Sequence, residues 1–424
     1  MLLLLIWLVI SLVLGQAILQ SWQSRFNVLE RLVFGLLLGL LAIGLTSFIL
    51  ASLGLAQDLA LGLSLVCSAG YLISRDRRNF KLNQEGIHQS LKAQIKEWRA
   101  LPKSYLWLLP LVGYFCLAII QLIGEREGQL TVGFYTVYGD YALHLRQIEF
   151  FRASPWLSLE NPLIAGLKLN YPPLVNYLAS LLTQTGLSSL AALKATSLLG
   201  NLALLLALYR VGQRLFRPEV GLILTYLVIL AGGAGVLNLV SDLWHRQYFW
   251  QASSYQPLLY TNSPLNQPHN QAYWLMNFSF AEFLPQRGFS YGLTLTLLAW
   301  LEFYQWLEVK AKISIKRIEW GRVLSFALLL ASLILIHPHS GLTLSILLAC
   351  NFLVLGWGRG WSVWRQPLLA LGLASLFGWL LLKNYLIFGD SFKLHLIAGW
   401  LPDQATASPW ALTLFWLKNA GATW

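Results

Sequence analysis

The stretch 137–151, VYGDYALHLRQIEFF, concentrates side chains that could do chemistry in a chain that is otherwise very apolar. Five polar or charged residues fall within ten positions of it: Asp140, His144, Arg146, Gln147 and Glu149. A carboxylate at position i of a helix and an imidazole at i+4 can share a divalent cation, or the imidazole can orient and polarise the carboxylate. The spacing of Asp140 and His144 therefore indicates an acid–base or metal site, with a solvated helix face as the alternative.

A helix over 138–152 would sort these side chains onto two neighbouring faces. The first face is mostly polar and carries Asp140, His144, Gln147 and Phe151. The second face is an apolar stripe of Tyr141, Leu145 and Ile148. Such a helix can lie on a membrane surface with its apolar side down. It would then present Asp140 and His144 sideways into a cavity.

Composition predicts what must position this stretch. The chain has 424 residues, of which 57% are hydrophobic and 11% charged. Runs of about 20 apolar residues can cross a bilayer, where the backbone must be helical to satisfy its polar groups. The sequence therefore predicts an all-α polytopic membrane protein with about 10–11 transmembrane helices. The predicted spans are 1–19, 31–54, 56–74, 104–124, 187–209, 218–240, 289–308, 322–336, 340–357 and 367–388, with 410–424 beginning another.

The placement of charge predicts the orientation. The net charge of +12 would suggest nucleic acid as a partner of a soluble protein, but here Lys and Arg concentrate in alternate loops. Basic loops stay cytoplasmic, so we expect membrane lipid and no nucleic acid as a partner of the chain. The basic stretch 75–103 is interpreted as a topology anchor, with contact to anionic lipid as the alternative. The outer segments are then 125–186, 241–288, 337–340 and 389–409. The three cysteines fall inside spans and predict neither a disulfide nor a metal site, only small buried side chains.

The outer segments hold the remaining candidate residues. Tyr171-Pro172-Pro173 is a stiff entry into a second amphipathic helix within 161–182, so that two surface helices would form a shelf. Arg287, in FLPQRGFSYG, lies where a long outer loop re-enters the membrane. A guanidinium there is costly unless it pairs, and phosphate is its best partner, with snorkelling to lipid headgroups as the alternative. His337 and His339, in HPHS, occupy a tight turn on the same side.

In this order, the motifs GDYALH, NYPPL, PQR and HPH resemble those of GT-C-fold glycosyltransferases, polytopic enzymes that include bacterial lipid-linked-sugar transferases. The resemblance covers roughly 104–420 and places three helices and a basic loop (1–103) before a GT-C-like core (104–424) that stops within its last span. It implies a multi-pass protein of the bacterial plasma (inner) membrane with its active site facing the outside.

The resemblance also implies roles for individual residues. Asp140 would be the catalytic base or a ligand of Mg or Mn, with His144 beside it as a second catalytic or metal-binding residue. Many relatives have two acidic residues where this chain has one, so metal dependence stays open. The donor phosphate would be bound by Arg287, His337 and His339. The substrate pocket would be lined by Asn170, Tyr171 and Gln286.

The chemistry of an outer site constrains the donor. Cytoplasmic nucleotide sugars do not reach it, so the sugar must arrive on a polyprenyl phosphate. We expect inverting transfer to an acceptor hydroxyl that a base activates, with the acceptor itself unknown. One alternative is a transporter or flippase of a lipid-linked or anionic solute, although such proteins favour midplane polar residues and internal repeats. The other is an inactive truncated paralogue or partner subunit.

Overall fold

The structure, a computed structural model, describes residues 2–22, 25–76, 95–126, 129–132, 137–169, 171–230, 283–310, 318–356, 361–385, 408 and 410. The second half of the predicted span 218–240, the outer segments 241–282 and 389–407, Asn170 and nearly all of 410–424 lie outside these ranges.

The described part of the chain is mostly helical. Its long helices are α1 (Leu2–Ser21), α2 (Val28–Ser52), α3 (Gln57–Asp76), α4 (Leu109–Leu122), α5 (Val137–Ala153), α6 (Leu174–Thr183), α7 (Ser189–Leu215), α8 (Pro218–Leu230), α9 (Arg287–Lys310), α10 (Trp320–Ile336), α11 (Pro338–Gly356) and α12 (Trp361–Tyr385). A 3₁₀ helix, Lys103–Leu108, leads into α4, and a two-stranded antiparallel hairpin, β1 (Ile123–Arg126) and β2 (Gln129–Val132), follows it.

The prediction of an all-α membrane protein is confirmed at this level. A helix occupies each of the ten predicted spans as far as the chain is described. Among the described residues, five helical segments are long and apolar enough to cross a membrane: Leu2–Ser21, Val28–Ser52, Gln57–Arg75, Lys103–Ile120 and Ser189–Leu215. The total of 10–11 crossings stays a prediction. The short β-hairpin was not predicted.

Small residues let α1 and α2 pack backbone against backbone. A Cβ atom added to Gly39 would lie 1.7 Å from the carbonyl oxygen of Ser11, and one added to Gly15 would lie 1.7 Å from that of Gly35. The spacing of four in both pairs, Ser11 with Gly15 and Gly35 with Gly39, is typical of close helix contacts in membranes. The N-terminal helices also share one hydrophobic core with α6, α9, α10 and α12, and the domain boundary at 103/104 stays a prediction.

Contacts between helix ends follow the predicted alternation of loops. At one end of the bundle, the Tyr105 hydroxyl donates to Glu30 Oε1 at 2.9 Å, and Arg210 lies 3.6 Å from Oε2 of the same carboxylate. At the other end, the Gln57 amide, which begins α3, donates to the carbonyl of Phe151 near the end of α5. Segments predicted on the same side of the membrane therefore meet each other.

Two expectations about burial are wrong. Nine of the ten residues of α6, Leu174 through Leu182, are buried, so this helix is part of the core and does not form a surface shelf with α5. An apolar run with no solvated face packs on all sides, which explains the difference. Cys67 and Cys350 are exposed on the outside of their helices rather than buried, and Cys116 is half-buried.

Candidate functional site

The helix predicted over 138–152 is present as α5, and its two faces differ sharply. His144 and Gln147 are buried together with Tyr141, Ile148 and Phe151, so they face the protein core rather than solvent. The outward face is charged: Arg146 is exposed, and the exposed Glu149 and Arg152 form an ion pair at 3.1 Å. The five polar residues of the opening stretch therefore divide into a solvated pair, Arg146 and Glu149, and residues that belong to the interior or its edge.

The buried face of α5 meets Asn176 on α6. The helix α6 begins directly after Pro172 and Pro173, because proline fixes the backbone and supplies no N–H to a preceding turn. This start places Asn176 in the first turn, where it is only 1% exposed within an apolar run. A buried amide needs partners for both its oxygen and its nitrogen, and Asn176 has them.

Arg287 begins α9 and supplies the first of these partners. Its guanidinium is 1% exposed and donates from Nη1 to Asn176 Oδ1 at 2.5 Å. Two hydroxyls of α7 accept the next bonds, Ser197 Oγ from Nε at 2.9 Å and Thr196 Oγ1 from Nη2. Arg287 thus joins three elements through neutral oxygens. In the part of the chain that is described, no carboxylate forms an ion pair with it.

The guanidinium fixes every hydrogen bond that follows. Because it only donates, Asn176 must turn its oxygen towards it and its Nδ2 away. Nδ2 then donates to Gln147 Oε1 at 2.6 Å and to His144 Nδ1 at 3.0 Å. With Nδ1 accepting, His144 carries its proton on Nε2 and donates to the Pro285 carbonyl at 3.0 Å. The imidazole is therefore neutral, and burial, with Arg287 nearby, lowers the pKa of His144 to about 3.

Three N–H groups of this cluster have no acceptor among the described residues. The guanidinium has five N–H groups, of which three donate to the oxygens just named, so one on each terminal nitrogen is left over. Gln147 is fully buried and its Nε2 has no acceptor among the described residues. A buried donor without an acceptor is costly, so the cluster favours an added oxygen acceptor.

Asp140 and Tyr171 lie at the edge of this cluster. Asp140, in the first turn of α5, is half-buried, and burial raises the pKa of its carboxyl above the usual range. Tyr171 is also half-buried, its ring centroid is 5.5 Å from that of His144, and its phenol interacts electrostatically with both Asp140 and Arg287. The phenol therefore lies within electrostatic range of a carboxylate on α5 and of the guanidinium on α9.

The turn at His337 lies beside α9 but does not join the hydrogen-bonded cluster. His337 caps α11, its Nδ1 accepting from the Ser340 backbone N–H at 3.3 Å and meeting the Ser340 hydroxyl at 2.8 Å. Its ring packs 5.0 Å from that of Phe289. His339 is exposed, 5.4 Å from His337 between ring centroids. Among described contacts neither histidine reaches Arg287, so their phosphate-binding role stays a prediction.

The remaining pocket residues have less definite positions. Gln286 is half-buried directly before α9, and its carbonyl accepts from the Phe289 N–H at 2.8 Å. Asn170 lies outside the described residues.

The predicted metal pair does not fit this geometry. Both ring nitrogens of His144 are committed, one to Asn176 and one to Pro285, so neither lone pair is available to a cation. The described residues contain no group of three or more His, Cys, Asp or Glu side chains that could hold a metal ion. For the same reason His144 acts as a fixed hydrogen-bonding group rather than as a second proton carrier.

Sequence reasoning missed three members of the cluster: Asn176, Thr196 and Ser197. A usable signal was present, because polar residues inside apolar helices of a membrane protein usually face the interior and have a role there. Asn176 is the lone amide in LVNYLASLL, and Thr196-Ser197 interrupts α7 near its start.

Comparisons of the chain with protein-family models, with curated proteins and with solved structures found no significant match. The site must therefore be interpreted from its own chemistry.

Proposed function

We propose that this protein is a membrane glycosyltransferase of the GT-C type. It moves a sugar, with inversion, from a polyprenyl-phosphate donor to an acceptor on the outer face of a bacterial inner membrane. The observation that carries the proposal is Arg287, a buried guanidinium bonded to neutral oxygens, with two N–H groups that have no acceptor among the described residues. The half-buried Asp140 is linked to it through Tyr171, whose phenol interacts electrostatically with both side chains.

Phosphate is the ligand that best suits the donor-rich cluster. The two remaining N–H groups of Arg287 match two oxygens of a phosphate, and its uncompensated charge matches the negative charge of a phosphodiester. Gln147 Nε2 adds a further buried donor one hydrogen bond away from Asn176. Since Arg287 is only 1% exposed, the ligand reaches it when a covering group such as the half-buried Tyr171 shifts.

Asp140 is the base of the proposed reaction. A raised pKa makes its carboxylate a better proton acceptor than an exposed aspartate. The carboxylate takes the proton of the acceptor hydroxyl as that oxygen bonds to the anomeric carbon. The bond from the anomeric carbon to the phosphate oxygen breaks at the same time, and the departing polyprenyl phosphate keeps the electron pair and stays paired with Arg287. No step passes through a metal.

Two variants of the full-length protein in liposomes test this assignment. Asp140→Asn removes the base and keeps the shape, and we expect sugar transfer to fall by about 10² while donor binding is retained. Arg287→Ala removes the phosphate partner, and we expect donor binding to weaken first. Glu149→Gln and Arg146→Ala, exposed positions of the same helix, are matched controls. The measurement is transfer of a radiolabelled hexose from its polyprenyl phosphate.

Each outcome separates the alternatives. Full transfer activity in Asp140→Asn would remove its role as base. Movement of the labelled lipid between leaflets without transfer would favour the transporter or flippase, and neither transfer nor movement would favour a partner subunit. Equal loss of donor binding in both variants would mean that Asp140 only shapes the pocket.

A further inference from the structure

The protein contains two arginines that are equally buried and differently neutralised. Arg287 and Arg322 are each 1% exposed. Arg322 donates from Nε to Glu302 Oε1 at 2.6 Å, with both side chains fully buried, so its charge is balanced inside the protein. Arg287 meets an amide and two hydroxyls instead. The positive charge of Arg322 is therefore compensated by a carboxylate, whereas that of Arg287 has no carboxylate partner among the described residues.

We infer that Asn176 is the specificity-determining residue of this site, because it holds Arg287 in place without neutralising it and so leaves the guanidinium available to an anionic ligand. The inference rests on the proposed function, in which that anion is the donor phosphate. The Oδ1 atom of Asn176, 2.5 Å from Nη1, occupies the position that a carboxylate oxygen takes in an internal ion pair. Aspartate has nearly the same shape, so one substitution would convert the anion site into an ion pair.

The neighbours of Asn176 explain why the amide is needed. Its Nδ2 donates to Gln147 Oε1 and to His144 Nδ1, and a carboxylate has no N–H to give them. The Pro285 carbonyl holds the only ring proton of neutral His144, so Nδ1 remains an acceptor. The bond from His144 to the Pro285 carbonyl therefore requires an N–H donor at position 176, which an amide supplies. Because the amide is neutral, it leaves the charge of Arg287 uncompensated.

The other titratable groups around Arg287 do not balance it. Tyr141 from α5, Tyr171 from the turn before α6 and Tyr291 from α9 interact with its charge, and phenols stay neutral near pH 7. Tyr291 also donates its hydroxyl proton to the Thr196 carbonyl at 2.9 Å. A carboxylate introduced at position 176 would thus be the first anion in direct contact with Arg287 among the described residues.

The test compares two ligands with the same isoprenoid tail, one of which carries a phosphate group. Binding of farnesyl phosphate and of farnesol to the full chain in detergent is measured by tryptophan fluorescence for wild type, Asn176→Asp and the remote control Asn351→Asp. We expect wild type to prefer the phosphate by about tenfold or more, and Asn176→Asp to lose that preference at pH 8 while farnesol binding is unchanged.

The results discriminate a charge effect from a structural one. Equal weakening of farnesol and farnesyl phosphate, or an unchanged phosphate preference at pH 8, overturns the inference. A wild type that binds both ligands alike overturns it together with the phosphate assignment of Arg287. If wild type and Asn176→Asp prefer farnesyl phosphate over farnesol equally, the inference about Asn176 is wrong, but the phosphate assignment of Arg287 stands. If Asn176→Asp does not fold, Ser197→Asp places a carboxylate at Nε and must abolish the preference in the same way.

Discussion

The neutral state of His144 makes the stability of this protein depend on pH in a calculable way. The unfolded chain protonates His144 near the ordinary pKa of 6.5, whereas burial beside Arg287 lowers the pKa in the folded protein to about 3. Between these values the unfolded state binds a proton that the folded state does not. The contribution to stability is therefore fully present above pH 6.5 and is lost as pH falls towards 3.

The size of this effect follows from the linkage relation. One such proton costs about 1.4 kcal/mol of stability per pH unit, so the loss at pH 5 is about 2 kcal/mol. That is a substantial part of the roughly 5–15 kcal/mol by which proteins are usually stable. Protonation of Nδ1 removes the acceptor of the Asn176 Nδ2–H group, whereas the Nε2–H group still donates to the Pro285 carbonyl.

Thermal unfolding in detergent, followed by tryptophan fluorescence at pH 7.5 and pH 5, measures it. His144→Gln keeps a donor for Pro285 but cannot take up a proton, so its melting temperature should be lower at pH 7.5 and fall less between the two pH values than that of wild type. His339→Gln, at an exposed histidine, is the matched control and should behave as wild type. An equal fall for wild type and His144→Gln would refute the neutral-imidazole assignment.

Three further predictions concern the fold. Gly39→Ala should destabilise by about 1–3 kcal/mol or more, since its Cβ would meet the Ser11 carbonyl, while Gly70→Ala on α3, with open space around it, should be neutral or stabilising; melting temperatures decide. Glu302→Gln should cost about 3 kcal/mol, because it leaves the buried Arg322 with only the more distant and partly exposed Glu319 as a carboxylate partner. Glu219→Gln, in an exposed pair, should cost almost nothing; a similar melting temperature for both would contradict the buried-pair argument. A membrane-impermeant thiol reagent applied to intact cells should label a cysteine introduced in 250–270 and not one in 82–90, and the reverse pattern would invert the proposed sidedness.

The positions of the helices could be predicted from the sequence because apolar run length is a strong, local signal. The helix α5 was also predictable, and so was the break before α6, where two consecutive prolines fix the chain. What could not be predicted is which way a helix faces. The polar residues His144 and Gln147 of α5 are buried on the same side as its apolar residues, because their hydrogen-bond partners Asn176, on α6, and Pro285, just before α9, come from distant parts of the sequence.

The site was predictable in its residue types but not in its connections. Arg287 was recognised from the cost of burying a charge, yet its partners Asn176, Thr196 and Ser197 lie about 90 to 110 positions earlier. A hydrogen bond between such distant residues leaves no periodic pattern. The capping role of His337 was missed for the opposite reason, since the bond to Ser340 is local but imidazole is an uncommon cap.

The hydrogen-bonded series from Arg287 through Asn176 and His144 to Pro285 has a fixed direction, because it begins at a group that only donates and ends at a carbonyl that only accepts. A proton wire must be able to reverse, so that each member alternately releases and receives a proton. Neither terminus permits this, and the amide in the middle does not exchange its roles without breaking three bonds. The series therefore does not conduct protons. The carboxyl of Asp140, at the edge of the cluster, must exchange protons with solvent or with the acceptor directly, and its ionisation should leave the interior of the cluster unchanged.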